Sequence, residues 1–321
     1  MIGRLGQAVV IVVAVVMATA SPAQEEAVQG VVPGGGWSAL VPLRTAPFPY
    51  AGPVPDTGAP FLDVERNGRL GHASSRGGVY WEDETYSDRR SLLYVPPDFD
   101  PGRPGVMVVF FHGNNSTLGR DVIARQQVPA QVANARANAV LLAPQFAIDA
   151  LDSSAGRFWQ RGAFATYLGE AADQFAALIG RPGLAATFGA MPVVLVAYSG
   201  GYLPAAYVLS QGGADGRLCG ALLLDAVYGE VERFAGWVAA RGNAFLVSAY
   251  TDSSADGNAG LRSRLQQRGI GYATTLPAML QPGSVTFRSV AADHGDLVTR
   301  AWTPDPITWV LDRLPAGGCG S

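Results

Sequence analysis

From residue 90 onward, short aliphatic and β-branched runs alternate with longer amphipathic stretches, and this alternation constrains the fold of the 321-residue chain more than any other feature. The runs are Arg90 to Val95, Val106 to Phe111, Ala139 to Leu142, Val193 to Ala197, Ala221 to Leu224, Ala244 to Ala249 and Val285 to Val290. Several are apolar on both faces, as strands of a sheet covered on both sides by helices require. The stretches between them predict helices at Asp121 to Ala137, Ala163 to Ile179, Gly200 to Leu209, Glu230 to Ala240, Ala259 to Arg268 and Pro306 to Leu314. Repeated strand–helix succession is the βαβ pattern, so the expected class is α/β with a mostly parallel central sheet flanked by helices. From Gln24 to Gly78, by contrast, Gly, Pro and polar residues dominate, as in Pro33-Gly34-Gly35-Gly36 and Pro47-Phe48-Pro49-Tyr50. No helical or strand period is sustained there, which predicts an irregular N-terminal arm, 24–78, lying over a domain of 79–321.

The chain opens with Arg4, an apolar run from Ala8 to Ala18, and the small-residue pairs around Ala20 and Ala23. This is the three-part pattern of a secretory signal peptide over 1–23, with cleavage after Ala20 or Ala23. The apolar run falls well short of the ~20 residues a membrane-spanning helix needs. The mature protein is therefore expected in the periplasm or outside the cell, with no stable membrane insertion.

Composition removes several function classes. All 23 basic residues are arginine, which excludes phosphate loops, Schiff-base enzymes and kinase-type sites that need a lysine. Histidine occurs only at 72, 112 and 294 and cysteine only at 219 and 319, without zinc-ligand spacing, so no metal or cofactor is expected. A formal net charge of -3 leaves no footprint for nucleic acid. The sequence leaves the oligomeric state open.

One segment carries most of the chemical information: Val193-Val194-Leu195-Val196-Ala197-Tyr198-Ser199-Gly200-Gly201, followed by a helical stretch. A strand ending in small-x-Ser-x-Gly and passing directly into a helix is the context of a nucleophile elbow, with Ala197 in place of the usual first glycine. The turn leaves the hydroxyl at a helix N-terminus, where free N–H groups and the dipole favour an anion. A second segment, Val106 to Phe111 followed by His112-Gly113-Asn114, is a buried strand ending in His-Gly.

With these two segments in view, the chain from about Arg90 to Leu314 resembles the α/β-hydrolase superfamily, most closely in its wording the secreted serine esterases and polyester depolymerases. The resemblance implies a nucleophile at Ser199 and an oxyanion hole built from the backbone N–H groups of Asn114 and Gly200. It makes His112 a structural histidine of its turn. The family's chain order of serine, acid, histidine implies His294 as the base, in Asp293-His294-Gly295-Asp296 after the last strand, with Asp293 and Asp296 capping that loop. For the acid, Asp225 at the end of the neighbouring strand is favoured over Asp252 and Asp256, which sit in a polar stretch suited to turns and caps.

The implied activity is hydrolysis of a carboxylic ester, small or polymeric, through an acyl-enzyme on Ser199. Amide or peptide cleavage in the cell envelope, and a non-catalytic binding protein on this scaffold, are the competing readings. Tyr198, Tyr202 and Trp159 are candidates for an aromatic pocket, and Arg157 and Arg161 for pairing with a substrate carboxylate. Export, together with the sheet edge to which a parallel α/β fold assigns both thiols, predicts a Cys219–Cys319 disulfide.

Overall fold

The computed structural model describes residues 27–315; the segment 1–23, expected to be a signal peptide, and Cys319 lie outside the described residues. In chain order the strands are β1 (Val28–Gln29), β2 (Trp37–Pro42), β3 (Val64–Arg66), β4 (Arg69–Ala73), β5 (Val79–Trp81), β6 (Arg90–Val95), β7 (Val106–Phe111), β8 (Ala139–Pro144), β9 (Val193–Tyr198), β10 (Leu218–Leu224), β11 (Phe245–Tyr250) and β12 (Val285–Ser289). They form a 9-stranded sheet of order β1-β2-β6-β8-β7-β9-β10-β11-β12 and a 3-stranded antiparallel sheet, β3-β4-β5. The block from β8 to β12 is parallel throughout, whereas β6 is antiparallel to β8 and β2 to β6. The mostly parallel α/β class expected from the sequence is thus the class observed.

Alternation along each central strand divides the core in two. Met107, Val109 and Phe111 of β7 join one buried cluster, while Val106, Val108 and Phe110 join the other. The first cluster is covered by α3 (Ala163–Leu178), α4 (Ala185–Ala190), α5 (Tyr202–Gln211), α6 (Val231–Ala240) and α7 (Ala255–Gln267), which follow the short α1 (Glu82–Thr85) and α2 (Val128–Ala133) in the chain. The second is covered by α2 and α8 (Pro306–Leu311). In α3, Phe164, Tyr167, Leu168, Ala171, Ala172, Phe175 and Ala176 are buried at the i, i+3, i+4 spacing that puts them on one face.

Two expectations are corrected. The helix foreseen over Asp121 to Ala137 is broken: a wide π-helical turn at Leu118–Arg125, capped by Thr117, ends before Gln127, which takes a left-handed φ of 51°, and α2 then starts afresh. Pro129 is the reason, because its ring and missing N–H cannot be accommodated within a continuous helix. The described part of the expected arm, 27–78, is also more ordered than its Gly/Pro content predicts. Its β2 pairs along its whole length with β6, and Leu43, Phe48 and Phe61 are fully buried. The pairing partner, distant in sequence, supplies the order that the local composition lacks. Glu170 of α3 further ties this stretch down, accepting from the Arg44 amide at 3.0 Å and the Thr45 amide at 2.9 Å.

The α7 helix is pressed against the segment after β10. A Cβ placed on Gly257 would overlap the Val227 carbonyl oxygen, so this helix approaches as closely as backbone allows. Gly257→Ala should therefore destabilise the fold by about 1–3 kcal/mol through overpacking. In thermal denaturation that corresponds to a Tm lowered by roughly 2–10 °C for a domain of this size.

Candidate active site

Strand register brings the sequence motifs to one level at the C-terminal ends of the parallel strands. Phe111 pairs with Ala197, and Leu224 with Tyr198, so the residues that follow β7, β9 and β10 emerge side by side. The sheet order reverses here, with β8 on one side of β7 and β9 on the other. A crevice at such a reversal is where ligands of open α/β sheets bind.

Ser199 follows β9 with a φ of 52°, and the chain turns at once into α5. A left-handed conformation at a non-glycine residue is strained and persists because its surroundings fix it. A Cβ on Gly201 would come within 2.6 Å of the Phe111 carbonyl oxygen, and one on Gly113 within 2.8 Å of the Ser199 Cβ, so both positions must lack side chains. The elbow is therefore wedged directly against the His112-Gly113 turn.

Ser199 Oγ lies 2.9 Å from His294 Nε2, and His294 Nδ1 lies 2.8 Å from Asp225 Oδ2. His294 opens a short turn after β12, and Asp225 follows β10 with a φ of 47°. The Asp225 side chain has no solvent exposure. It accepts from His294 Nδ1, the Thr251 amide (2.9 Å), Thr251 Oγ1 (2.6 Å), Ser253 Oγ (2.8 Å) and Ser254 Oγ. Burial by itself would raise its pKa, but the hydrogen bonds from His294, Ser254 and Thr251 outweigh burial and hold the carboxyl well below the usual carboxylate range. Asp225 thus stays ionised and fixes His294 as the Nδ1–H tautomer, leaving Nε2 to accept the serine proton. The polar stretch Thr251-Asp252-Ser253-Ser254 serves Asp225 through its hydroxyls; among the described residues the carboxylate bonded to His294 is that of Asp225, not of Asp252 or Asp256.

With the sheet order, elbow, acid and histidine in these places, the chain has an α/β-hydrolase fold. No protein-family model and no curated protein matches the sequence. Among solved structures, it is similar to a mutant of the feruloyl esterase module from Clostridium thermocellum complexed with sinapinate, at 15% identity, covering 84% of this chain and 95% of that one, with a TM-score of 0.44. It is also similar to the fluorophosphonate-binding serine hydrolase F of Staphylococcus aureus (13% identity, 76% of this chain, 97% of that one, TM-score 0.43). A thermophilic esterase from Thermogutta terrifontis is a further such structure (14% identity, 64% of this chain, 78% of that one, TM-score 0.39).

Around this site the remaining sequence candidates separate. The Asn114 amide donates to no group among the described residues and lies next to the elbow, with the Asn114 side chain packed on Gly200. His112 is buried; its Nδ1–H donates to the Gly113 carbonyl at 2.7 Å, and its Nε2 accepts from the Phe146 amide at 2.9 Å. It thereby clamps the turn to the end of β8, and burial pushes its pKa down to about 4.

Tyr198, proposed as a pocket wall, instead supports His294. Its ring stacks on the imidazole at 5.1 Å, its hydroxyl donates to the His294 carbonyl at 3.1 Å, and burial pushes that hydroxyl up to about 12. Trp159 is likewise no pocket wall, being 6% exposed and packed against Tyr50, Phe61 and Tyr207. Arg157 is turned to the Ala46 and Pro49 carbonyls, at 3.2 and 3.3 Å, rather than to the site, and Arg161 lies beside it. Aromatic size and positive charge in the sequence do not reveal which way a side chain faces, and these do not face the serine. Tyr202 is half-buried and meets Tyr228 edge-on at 6.0 Å.

Tyr228 was not singled out from the sequence, although its hydroxyl lies 2.8 Å from Ser253 Oγ and 3.4 Å from His294 Nδ1. An aromatic residue three positions beyond a candidate acid carries no signal until the loop is folded. Beside His294 opens a cleft of about 760 Å³, lined among others by Thr251, Asp252, Asp293, His294 and Arg300.

The depressed His112 pKa sets a pH dependence of stability. Below the ordinary value of about 6.5 the unfolded chain gains a proton that the folded chain refuses until about 4, so stability falls as pH drops through this window. Urea denaturation at pH 7 and pH 4.5 should show a loss of roughly 2–3 kcal/mol attributable to this ring. A His112→Asn variant, less stable at pH 7, should lose correspondingly less over the same interval.

Proposed function

We propose that the protein is a serine hydrolase that cleaves carboxylic esters through an acyl-enzyme on Ser199. The observation that carries this reading is the unbroken chain from Ser199 Oγ to His294 Nε2, 2.9 Å, and from His294 Nδ1 to Asp225 Oδ2, 2.8 Å. His294 takes the proton from Ser199 as the oxygen attacks the ester carbonyl, and the Asp225 carboxylate stabilises the imidazolium. The developing oxyanion is met by the Asn114 and Gly200 amides, whose dipoles act only on charge that appears in the tetrahedral intermediate. His294 then gives its proton to the leaving alcohol, and the same ring activates the water that releases the acid.

A fluorophosphonate probe should label the wild-type serine and not Ser199→Ala. Ser199→Ala and His294→Ala should each lower turnover of a short-chain nitrophenyl ester by several orders of magnitude while leaving the circular dichroism spectrum unchanged. A variant retaining more than about a tenth of wild-type turnover would overturn its assignment. Asp225→Asn should lower kcat by about 10³–10⁴-fold by favouring the wrong imidazole tautomer, with Asp252→Asn having a minor effect.

We infer further that residues 1–23 are removed on export and that Cys219 pairs with Cys319 in the mature protein. Cys219 lies in β10 at the end of the sheet away from Ser199. The last described residues, Leu314 and Pro315, adjoin Arg103 to Val106 at the start of β7, which is the same end. Closing a loop of about a hundred residues stabilises the folded chain by up to ~4–5 kcal/mol in the chain-entropy model. Alkylation of the unreduced, denatured protein followed by intact-mass measurement should add no label, and two labels should appear only after reduction.

A further inference from the structure

The strands β4 and β5 form a hairpin whose tip, Ser74 to Gly78, is closed by bonds from the Ser74 amide to the Gly78 carbonyl (3.0 Å) and from the Gly77 amide to the Ser74 carbonyl (2.9 Å). This tip is anchored over the site. Ser74 Oγ donates to the Leu151 carbonyl at 2.7 Å, and the Leu151 amide donates to the Tyr80 hydroxyl at 3.1 Å. Two residues on from Leu151, Ser153 Oγ donates to Asn114 Oδ1 at 3.1 Å, so the hairpin rests on the loop that borders the elbow.

The tip residue Arg76 projects onto the aromatic pair beside the triad. Its guanidinium lies over the Tyr228 ring, 5.7 Å from the centroid, and is close enough to the Tyr202 hydroxyl to work against the upward push of burial, which still prevails there. Tyr202 is three residues beyond Ser199, and Tyr228 touches His294.

Arg76 forms no ion pair among the described residues, and it is exposed. Three other cations are engaged elsewhere, Arg125 with Asp121 (2.9 Å), Arg120 with Asp149 (2.7 Å) and Arg233 with Glu230 (2.8 Å), while Arg300 lies on the separate cleft lined by Asp293 and Asp296. Two nearby carboxylates are occupied by other groups, Asp152 by Tyr86 and Ser154, and Asp225 by the hydroxyls and imidazole around it. A guanidinium seated on an aromatic face is oriented without being neutralised, and its N–H fork matches a carboxylate in planarity and charge.

We propose that Arg76, with Tyr202 and Tyr228, forms a carboxylate-recognising subsite at the rim of the Ser199 site. The preferred substrate is then an ester that bears a free carboxylate away from the scissile bond, such as a dicarboxylic acid half-ester or the acid-terminated end of a polyester chain. The inference rests on the ester-hydrolase reading and adds the substrate's charge to it. Arg76 binds and orients; the bond-making atoms remain those of Ser199 and His294.

The test compares the 4-nitrophenyl monoester of adipic acid with the same ester capped as its methyl ester, using Ser199→Ala to subtract background. The wild-type protein should favour the free acid in kcat/KM, and the preference should shrink at high salt. In Arg76→Met the ratio of the two kcat/KM values should fall about 10- to 100-fold, mostly through KM, as loss of a charge-assisted hydrogen-bonded pair implies. Arg76→Lys should restore part of the ratio, and Arg161→Met, an arginine away from the site, should leave it as in wild type. If the capped ester is turned over but the free acid gains nothing, or if Arg76→Met leaves the ratio unaltered, the subsite is refuted and the hydrolase reading stands. If neither ester is turned over, both fall together.

Discussion

A carboxylate with no exposure to water is tolerated only when its charge is met by donors on every side, because an uncompensated buried charge destabilises a protein by several kcal/mol. Asp225 is in that position, and the donors that meet it come from segments far apart in the chain: Thr251, Ser253 and Ser254 after β11, and His294 after β12. The charge therefore holds two loops against the end of β10. Its constraint passes on through the imidazole, whose orientation follows from the bond at Nδ1, and through Tyr198, which grips the same residue by its ring and by its backbone.

The sheet supplies the rigid reference for this cluster. Parallel pairing of β7, β9, β10, β11 and β12 fixes the heights at which the strands end, and strained φ values at Ser199 and Asp225 turn both side chains into the same crevice. Such strain is sustained by close contact rather than by local preference. The contact of the elbow with Gly113 and the Phe111 carbonyl, and of α7 with the Val227 carbonyl, leaves the loops little room for another arrangement. On the opposite side of the elbow, His112 holds the turn carrying Asn114 against Phe146 in a form that requires a neutral ring.

The N-terminal part of the chain is more than a cover. It extends the sheet through β2, fills the core around Phe48, Phe61 and Trp159, and carries the hairpin that brings Arg76 to the rim of the site. The buried aromatic cluster also explains why Trp159 and Arg157 face inward: one packs on Tyr50 and Phe61, and the other is engaged by the Ala46 and Pro49 carbonyls of the same segment. Arg76 thus reaches the rim of the site from a hairpin distant in sequence, whereas Arg157, a candidate on the sequence alone, is turned to the Ala46 and Pro49 carbonyls.

What the sequence by itself determined was local. Apolar runs such as Val106 to Phe111 can be satisfied only as doubly covered strands, and Ala197-Tyr198-Ser199-Gly200-Gly201 at a strand-to-helix junction limits the chain to a tight turn with an exposed hydroxyl. With one histidine downstream of that serine, the order of the motifs was legible as well. Tertiary structure alone decided which carboxylate faces His294, that the hydroxyls of 251–254 rather than their neighbouring aspartates serve the site, that β2 joins the central sheet, and that Arg76 lies over Tyr228. Each of these depends on contacts between segments tens of residues apart, and such contacts are set by register, burial and loop closure. Local periodicity records which residues want to be buried; it does not record which partner they will be buried against.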